Sequence, residues 1–199
     1  MTIRSSTSTT IANTLGTAIT GTAPSGLTAG DRLIAWIVQD TAGTHSGPSG
    51  EGWTKIADAN NVGPADGQTC TVWEKPVATG SETFAFTSNI DKRAIIQVVA
   101  LTGRHTSTAA TVSTPTILNT PSSGTPFSMG LSGLTATTGD DLLWFGQVDQ
   151  TSGADAWSFS ALSGFTNLQN VANSDWISSA TFAQANATAG ATGTLTATV

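Results

Sequence analysis

Short apolar runs separated by Gly-, Asn- and Pro-bearing breaks recur along the whole chain. The strongest is Leu33 to Val38, six apolar residues bounded by Gly30-Asp31 and Gln39-Asp40. It is too short for a typical helix and suits a strand covered on both faces. Arg93–Thr102, with Ile95-Ile96 and Val98-Val99, reads the same way. Thr69–Val77 alternates instead, placing Cys70 and Val72 on one face and Thr71 and Trp73 on the other. Phe84 and Phe86 point opposite to Thr83, Ala85 and Thr87, the mark of a half-buried strand. Trp53–Asp58 completes the first set. Asp141–Val148, Gly164–Val171, Trp176–Ala185 and Gly193–Val199 form a second. Nowhere does a long stretch combine helical period with capping signals. Strands recurring roughly every ten to fifteen residues between turn residues predict an all-β protein, a jelly-roll-like antiparallel β-sandwich.

The two sets repeat one another. Ser25-Gly26-Leu27-Thr28-Ala29, then Gly30-Asp31, returns as Ser132-Gly133-Leu134-Thr135-Ala136, then Gly139-Asp140. Gly52-Trp53-Thr54 is answered by Gly164-Phe165-Thr166, and Trp73 with Ala78-Thr79 by Phe182 with Ala187-Thr188. Phe84–Thr87 has a weaker partner in Leu195–Thr198. Echoes in one order predict an internal duplication. The strands at 31–39 and 140–148 should therefore be equivalent, with Trp53 and Phe165 coinciding.

The expected organisation is an N-terminal arm and first strand over residues 1–18 and a first β copy over 19–102. A Thr/Ser/Pro-rich connector over 103–130 leads to a second β copy over 131–199, the whole forming one compact sandwich. Pro115, Pro121 and Pro126 suit edge strand or linker, not a central strand. Copy two reaches Val199 without an equivalent of Arg93–Thr102, so its sheet should have an edge in need of a partner. The uncharged stretch 193–199, with the Thr/Ser-rich arm, is expected at an intersubunit or intercopy seam, and the chain is expected to form a homo-oligomer.

Composition narrows the function. Only 10% of the 199 residues are charged, against about 25% in ordinary globular domains, while 38% are hydrophobic, enough for a core. The net charge is −6, and the seven basic residues form no cluster beyond Lys92-Arg93, which argues against nucleic-acid partners. One cysteine, Cys70, excludes an intrachain disulfide framework. No apolar run is long enough to span a membrane, and Met1–Ser5 lacks the apolar core of a signal peptide, so folding in the cytoplasm is expected.

Catalytic chemistry finds little purchase. Only His45 and His105 could act as bases near neutrality, and Ser49 lies outside any Gly-x-Ser-x-Gly elbow. Asp31, Asp140 and Asp141 follow glycine at strand entries, while Asp40 and Asp149 close the same strands; turn chemistry accounts for them. We expect no enzyme activity, no catalytic residue, no cofactor and no metal site. Of six Trp, Trp36 and Trp144 lie inside apolar strands and should be core, since burying ~200 Å² of indole is worth about 5 kcal/mol. Trp53 and Trp73 have aromatic echoes that point to packing. Trp157, which has no counterpart, and His45, in a Gly-rich loop, are the candidates for exposed contact with a glycan or partner.

The wording Pro24–Ala35, the Gly-rich loop, Gly52-Trp53-Thr54, Trp73-Glu74-Lys75-Pro76-Val77-Ala78 and Phe84-Ala85-Phe86 resembles minor structural proteins of tailed bacteriophages and phage-like particles. These are head-decoration, spike or tail-associated components. The likeness covers most of 19–102 and, more weakly, 130–199. It implies a virion structural protein, a capsid-decorating or spike/fibre subunit with a host-attachment role. It would be folded in the bacterial cytoplasm and located in the virion. Its partners would be itself and other virion proteins such as the major capsid protein, with host surface polysaccharide a further candidate and no membrane insertion. The alternative is a carbohydrate-binding module or adhesin recognising host surface glycans.

Overall fold

The computed structural model describes residues 2–11, 17–61, 67–76, 78–91, 93–102, 110–111, 128–131, 134–137, 139–149, 158–173, 177–185, 187–192 and 195–198. All regular structure among them is β, and every strand pairing is antiparallel. The central sheet has five strands. β1 (Thr2–Ile11) forms one edge, followed by β8 (Ala94–Thr102), β3 (Arg32–Gln39), β6 (Gln68–Lys75) and β5 (Thr54–Asn61). One face carries Leu33, Ala35, Ile37, Trp73, Ile96 and Val98 against Ile19, Phe84 and Phe86. That covering layer contains β2 (Ala18–Thr20), β7 (Ala85–Ser88) and β4 (His45–Ser46).

The opposite face of the central sheet presents Ile34, Trp36, Val38, Val72, Ile95, Val99 and Leu101. It meets a three-stranded sheet of β11 (Leu142–Asp149), β13 (Ile177–Gln184) and β12 (Thr166–Asn173), in that order. Ile177, Leu143, Phe145, Leu168 and Val171 fill the space between the two. Beyond the three-stranded sheet, Trp144, Val148, Phe159, Leu162, Ala180 and Phe182 form a further apolar cluster joined by Leu195. Leu195 belongs to β15 (Leu195–Thr198), which pairs with β9 (Ser128–Leu131). β10 (Thr135–Ala136) and β14 (Gly190–Ala191) make a small separate pair. The fold is thus an all-β sandwich whose sheets stack through three apolar clusters, and β3, buried along its full length, is the strand covered on both faces.

The duplication is written in the hydrogen bonds. β3–β6–β5 and β11–β13–β12 share the same order, and Leu33↔Lys75 corresponds to Leu142↔Gln184. Each set bulges at the same place, between Lys55 and Ala57 and between Asn167 and Gln169. The β2–β7 pairing is matched by β9–β15. At the entry turn, Thr28 N–H and Oγ1–H donate to Asp31 Oδ2, and Thr137 N–H and Oγ1–H do the same to Asp140 Oδ2. Gly30 N–H donates to Ala78 O at 2.8 Å and Gly139 N–H to Ala187 O at 3.0 Å. The turn needs φ near +90°, which Gly30 and Gly139 adopt without the steric cost a side chain would bring.

Residues 2–11, placed by the sequence in an N-terminal arm with a first strand, are strand throughout: β1 runs along β8 from Ile11↔Ala94 to Thr2↔Thr102. Its Thr/Ser run hid the bounds of a strand whose only apolar residues are Ile3 and Ile11. Within the terminal stretch, β15 pairs with β9 of the same chain. Trp36 and Trp144 are 6% and 3% exposed, as their place in apolar strands requires.

Candidate functional site

The richest polar constellation surrounds His45. The loop 41–52 folds back so that β4 pairs with β7, with His45 opposite Ser88. That pairing turns the imidazole inward to 2% exposure, so the expectation of an exposed contact residue at this position fails. The neighbouring glycines suggested a surface loop; the register of two residues decides otherwise.

A continuous hydrogen-bond chain holds the ring. Gln39 Nε2 donates to Ile90 O at 2.9 Å, which leaves its Oε1 as acceptor. Oε1 receives Ser88 Oγ–H at 2.8 Å and lies 3.0 Å from His45 Nε2, so Nε2 carries the proton. Nδ1 then accepts from Thr71 Oγ1–H at 2.9 Å, and Thr71 Oγ1 in turn accepts from Trp73 Nε1–H at 2.9 Å. Burial lowers the His45 pKa to about 4; the Asp58 carboxylate works against that and Lys55 with it. The ring is a neutral structural element. Thr71 and His45 make a hydroxyl–base pair in outline, but Thr71 is 1% exposed and no carboxylate orients the imidazole.

Most of the described charges are likewise engaged in the fold. Arg4 on β1 meets Asp31 at 2.7 Å, and Arg32 pairs with buried Glu74. Lys75 lies 3.3 Å from both Glu51 and Glu82, Arg93 is 3.6 Å from Asp40, and Lys55 meets Asp58 at 2.5 Å. Burial works to raise the Asp31 carboxyl, but hydrogen bonds from Thr28 and from Arg4 prevail and hold it below the ordinary range. Glu82 follows the same logic, with burial outweighed by Thr79 and Lys75. Burial pushes the Cys70 thiol up to about 12, with Asp58 adding to the effect. Among the described residues no group of three or more His, Cys, Asp or Glu is placed to hold a metal ion.

A second polar network, at the seam between the two large sheets, was not anticipated. Trp36 Nε1–H donates to Ser179 Oγ at 2.9 Å. Gln97, fully buried on β8, accepts Thr181 Oγ1–H at 2.5 Å and Ser179 Oγ–H at 3.3 Å on Oε1, and donates Nε2–H to Ser179 O. Asn173 Nδ2 donates to Ile11 O and Ala94 O, and Gln169 Nε2 to Ser6 Oγ. The one visible signal was a glutamine in the middle of Ala94–Thr102, an otherwise apolar strand.

Of the tryptophans, Trp36 stacks on Phe145 at 5.3 Å, and Trp144 meets Phe159 and Phe182 edge-on. Trp73 tilts against Phe86, and Trp53 packs edge-on against Phe84 and Phe86. Trp157, Trp176 and His105 lie outside the described residues. Comparison with protein-family models, with curated proteins and with solved structures finds no match to this chain.

Proposed function

We propose that the chain is a structural subunit of a phage-like particle, a jelly-roll-like unit that decorates the capsid or forms part of a spike or fibre. The observation that carries this reading is where the resembling residues sit. Gly30 and Asp31 build the entry turn, Leu33 and Ala35 the buried centre of β3, and Trp53, Trp73, Ala78, Phe84 and Phe86 the core beneath it. The shared wording specifies a rigid repeated platform, which is what a particle component has to supply. A surface poor in charge and rich in Thr and Ser suits a protein that works against neighbours rather than diffusing alone.

Fractionation of particles from the producing cell tests it. The chain is expected to band with particles and to be labelled on their surface by antibody against it. Its absence from every particle fraction would overturn the reading. The glycan-binding alternative rests on Trp157, the tryptophan without a counterpart in the other copy; among the described tryptophans, Trp36, Trp73 and Trp144 are buried and Trp53 packs inward. Saturable binding to host polysaccharide, lost in Trp157→Ala, would favour that alternative.

A further inference from the structure

β1 is bound to the central sheet by few apolar contacts. Its sequence, Thr2-Ile3-Arg4-Ser5-Ser6-Thr7-Ser8-Thr9-Thr10-Ile11, offers two apolar side chains, both isoleucine. β8, along which it lies, is buried in all but its last residue, Thr102. What fixes β1 besides the ladder is mostly hydroxyl chemistry. Ser5 Oγ–H donates to Ser25 O at 2.6 Å and Thr7 Oγ1–H to Thr22 O at 2.7 Å. Thr9 Oγ1 accepts Thr22 N–H and donates to Thr22 Oγ1, and Ser6 Oγ accepts from Gln169 Nε2 at 2.9 Å. These bonds lie at or near the surface, where water replaces them at little net cost.

The register, by contrast, is keyed at three points. Ile3 packs into the apolar cluster between the two large sheets, and Ile11 into the cluster on the other face of the central sheet. With this spacing the two isoleucines would share a face of a regular strand. A bulge between Ile3 and Ser5 sends them to opposite faces. It also leaves Arg4 without a counterpart on β8 and aims it at Asp31, which it grips through Nε at 2.7 Å and Nη2 at 3.1 Å.

We infer that β1 is an exchangeable strand: the place along β8 takes β1 of a second copy of this chain, giving a dimer with two reciprocally swapped strands. The occupant follows from the key. An isoleucine to each face, a bulge between them and an arginine at the bulge are what Thr2–Ile11 of another copy brings. The competition follows from the topology. β1 pairs with a strand roughly ninety residues away, so its advantage over the same strand from a neighbour is an effective concentration on the order of millimolar. Each strand contact of the swapped pair is one the single chain already makes, which keeps the exchange cheap. When β1 lifts, β8 presents an apolar edge with no Lys or Pro to blunt it, and a matching strand is drawn back to it.

The inference stands whether or not the chain belongs to a particle, and its test is separate. Two full chains are prepared in a Cys70→Ser background, one with Thr7→Cys and the other with Val98→Cys, positions that face each other across the ladder. Mixed under mild oxidation at roughly millimolar protein, they should accumulate a disulfide-linked heterodimer in preference to either homodimer. Arg4→Ala in both chains should speed this about threefold, the scale of a partly exposed ion pair. A chain carrying both cysteines, oxidised beforehand as a monomer, should stay out of dimers. Hydrogen exchange of the unsubstituted chain gives a readout that does not depend on the cysteines. The β1 amides should exchange well before those of β3 and β6, through opening of that strand alone. Absence of the heterodimer, homodimers formed as readily, or β1 amides as protected as those of β3 would each overturn the inference.

Discussion

Protonating His45 would place a cation among Thr71, Gln39 and Ser88, in a space already filled by hydrogen bonds that suit the neutral ring. Its folded pKa of about 4 lies below the ordinary 6.5, so between those values the unfolded chain binds the extra proton. The stabilisation is full above pH ~6.5 and is lost as pH falls toward 4, by about 3 kcal/mol in total. Asp31 and Glu82, with lowered pKa values, extend the loss at still lower pH. Urea unfolding at pH 7.5 and 4.5 should show this fall. His45→Gln should be less stable at pH 7.5 and flatter between the two, and a variant that kept the full slope would place the titrating proton elsewhere. Gly146 is constrained by space instead. A methyl group there would collide with the Trp144 ring and with Phe159. At the equivalent places in copy one the sizes are exchanged, Ala35 for Trp144 and Ile37 for Gly146. Gly146→Ala should cost roughly 1–3 kcal/mol by overpacking, and pairing it with Trp144→Ala should restore less than full stability because a cavity replaces the clash.

The strands themselves were plainly written wherever one or both faces are apolar. The reading Arg93–Thr102 becomes Ala94–Thr102, one residue shorter at its start, and Asp141–Val148 becomes Leu142–Asp149, shifted by one residue. The bounds of β1 were not legible because a run of Thr and Ser carries no hydrophobic contrast; its identity comes from the β8 backbone it pairs with. The hydrogen-bond chain around His45 and the seam around Gln97 were illegible for a related reason. Both depend on which residues from distant strands face each other, which local spacing does not encode. Trp36 joins these effects, as it stacks on Phe145 and donates to Ser179. Trp36→Ala should destabilise by roughly 3–5 kcal/mol in chemical denaturation. Gln97→Leu removes the acceptor of Thr181 and the donor to Ser179 O, leaving buried groups unmet at a cost of about 1–3 kcal/mol. A neutral Gln97→Leu would mean that the seam is held by shape alone.

At the scale of the molecule, the apolar cluster between the two large sheets draws residues from both copies, with Trp36, Ile95 and Val99 on one side and Phe145, Leu168 and Ile177 on the other. Neither half has a finished surface without its neighbour. Unfolding should therefore be a single transition, with tryptophan fluorescence and far-ultraviolet circular dichroism coinciding, and a fragment of residues 128–199 should not fold alone. Two separated transitions would show that the seam is an accessory contact. The pairing of β1 with β8 adds a constraint of time. Thr2↔Thr102 and Ile11↔Ala94 are roughly ninety residues apart, so β1 leaves the ribosome ~5–20 s before the partner that will hold it. An apolar strand left waiting would recruit whatever sticky surface came near. A strand of Thr and Ser, apolar only at Ile3 and Ile11, can spend that interval in water and still close the sheet when Ala94–Thr102 arrives.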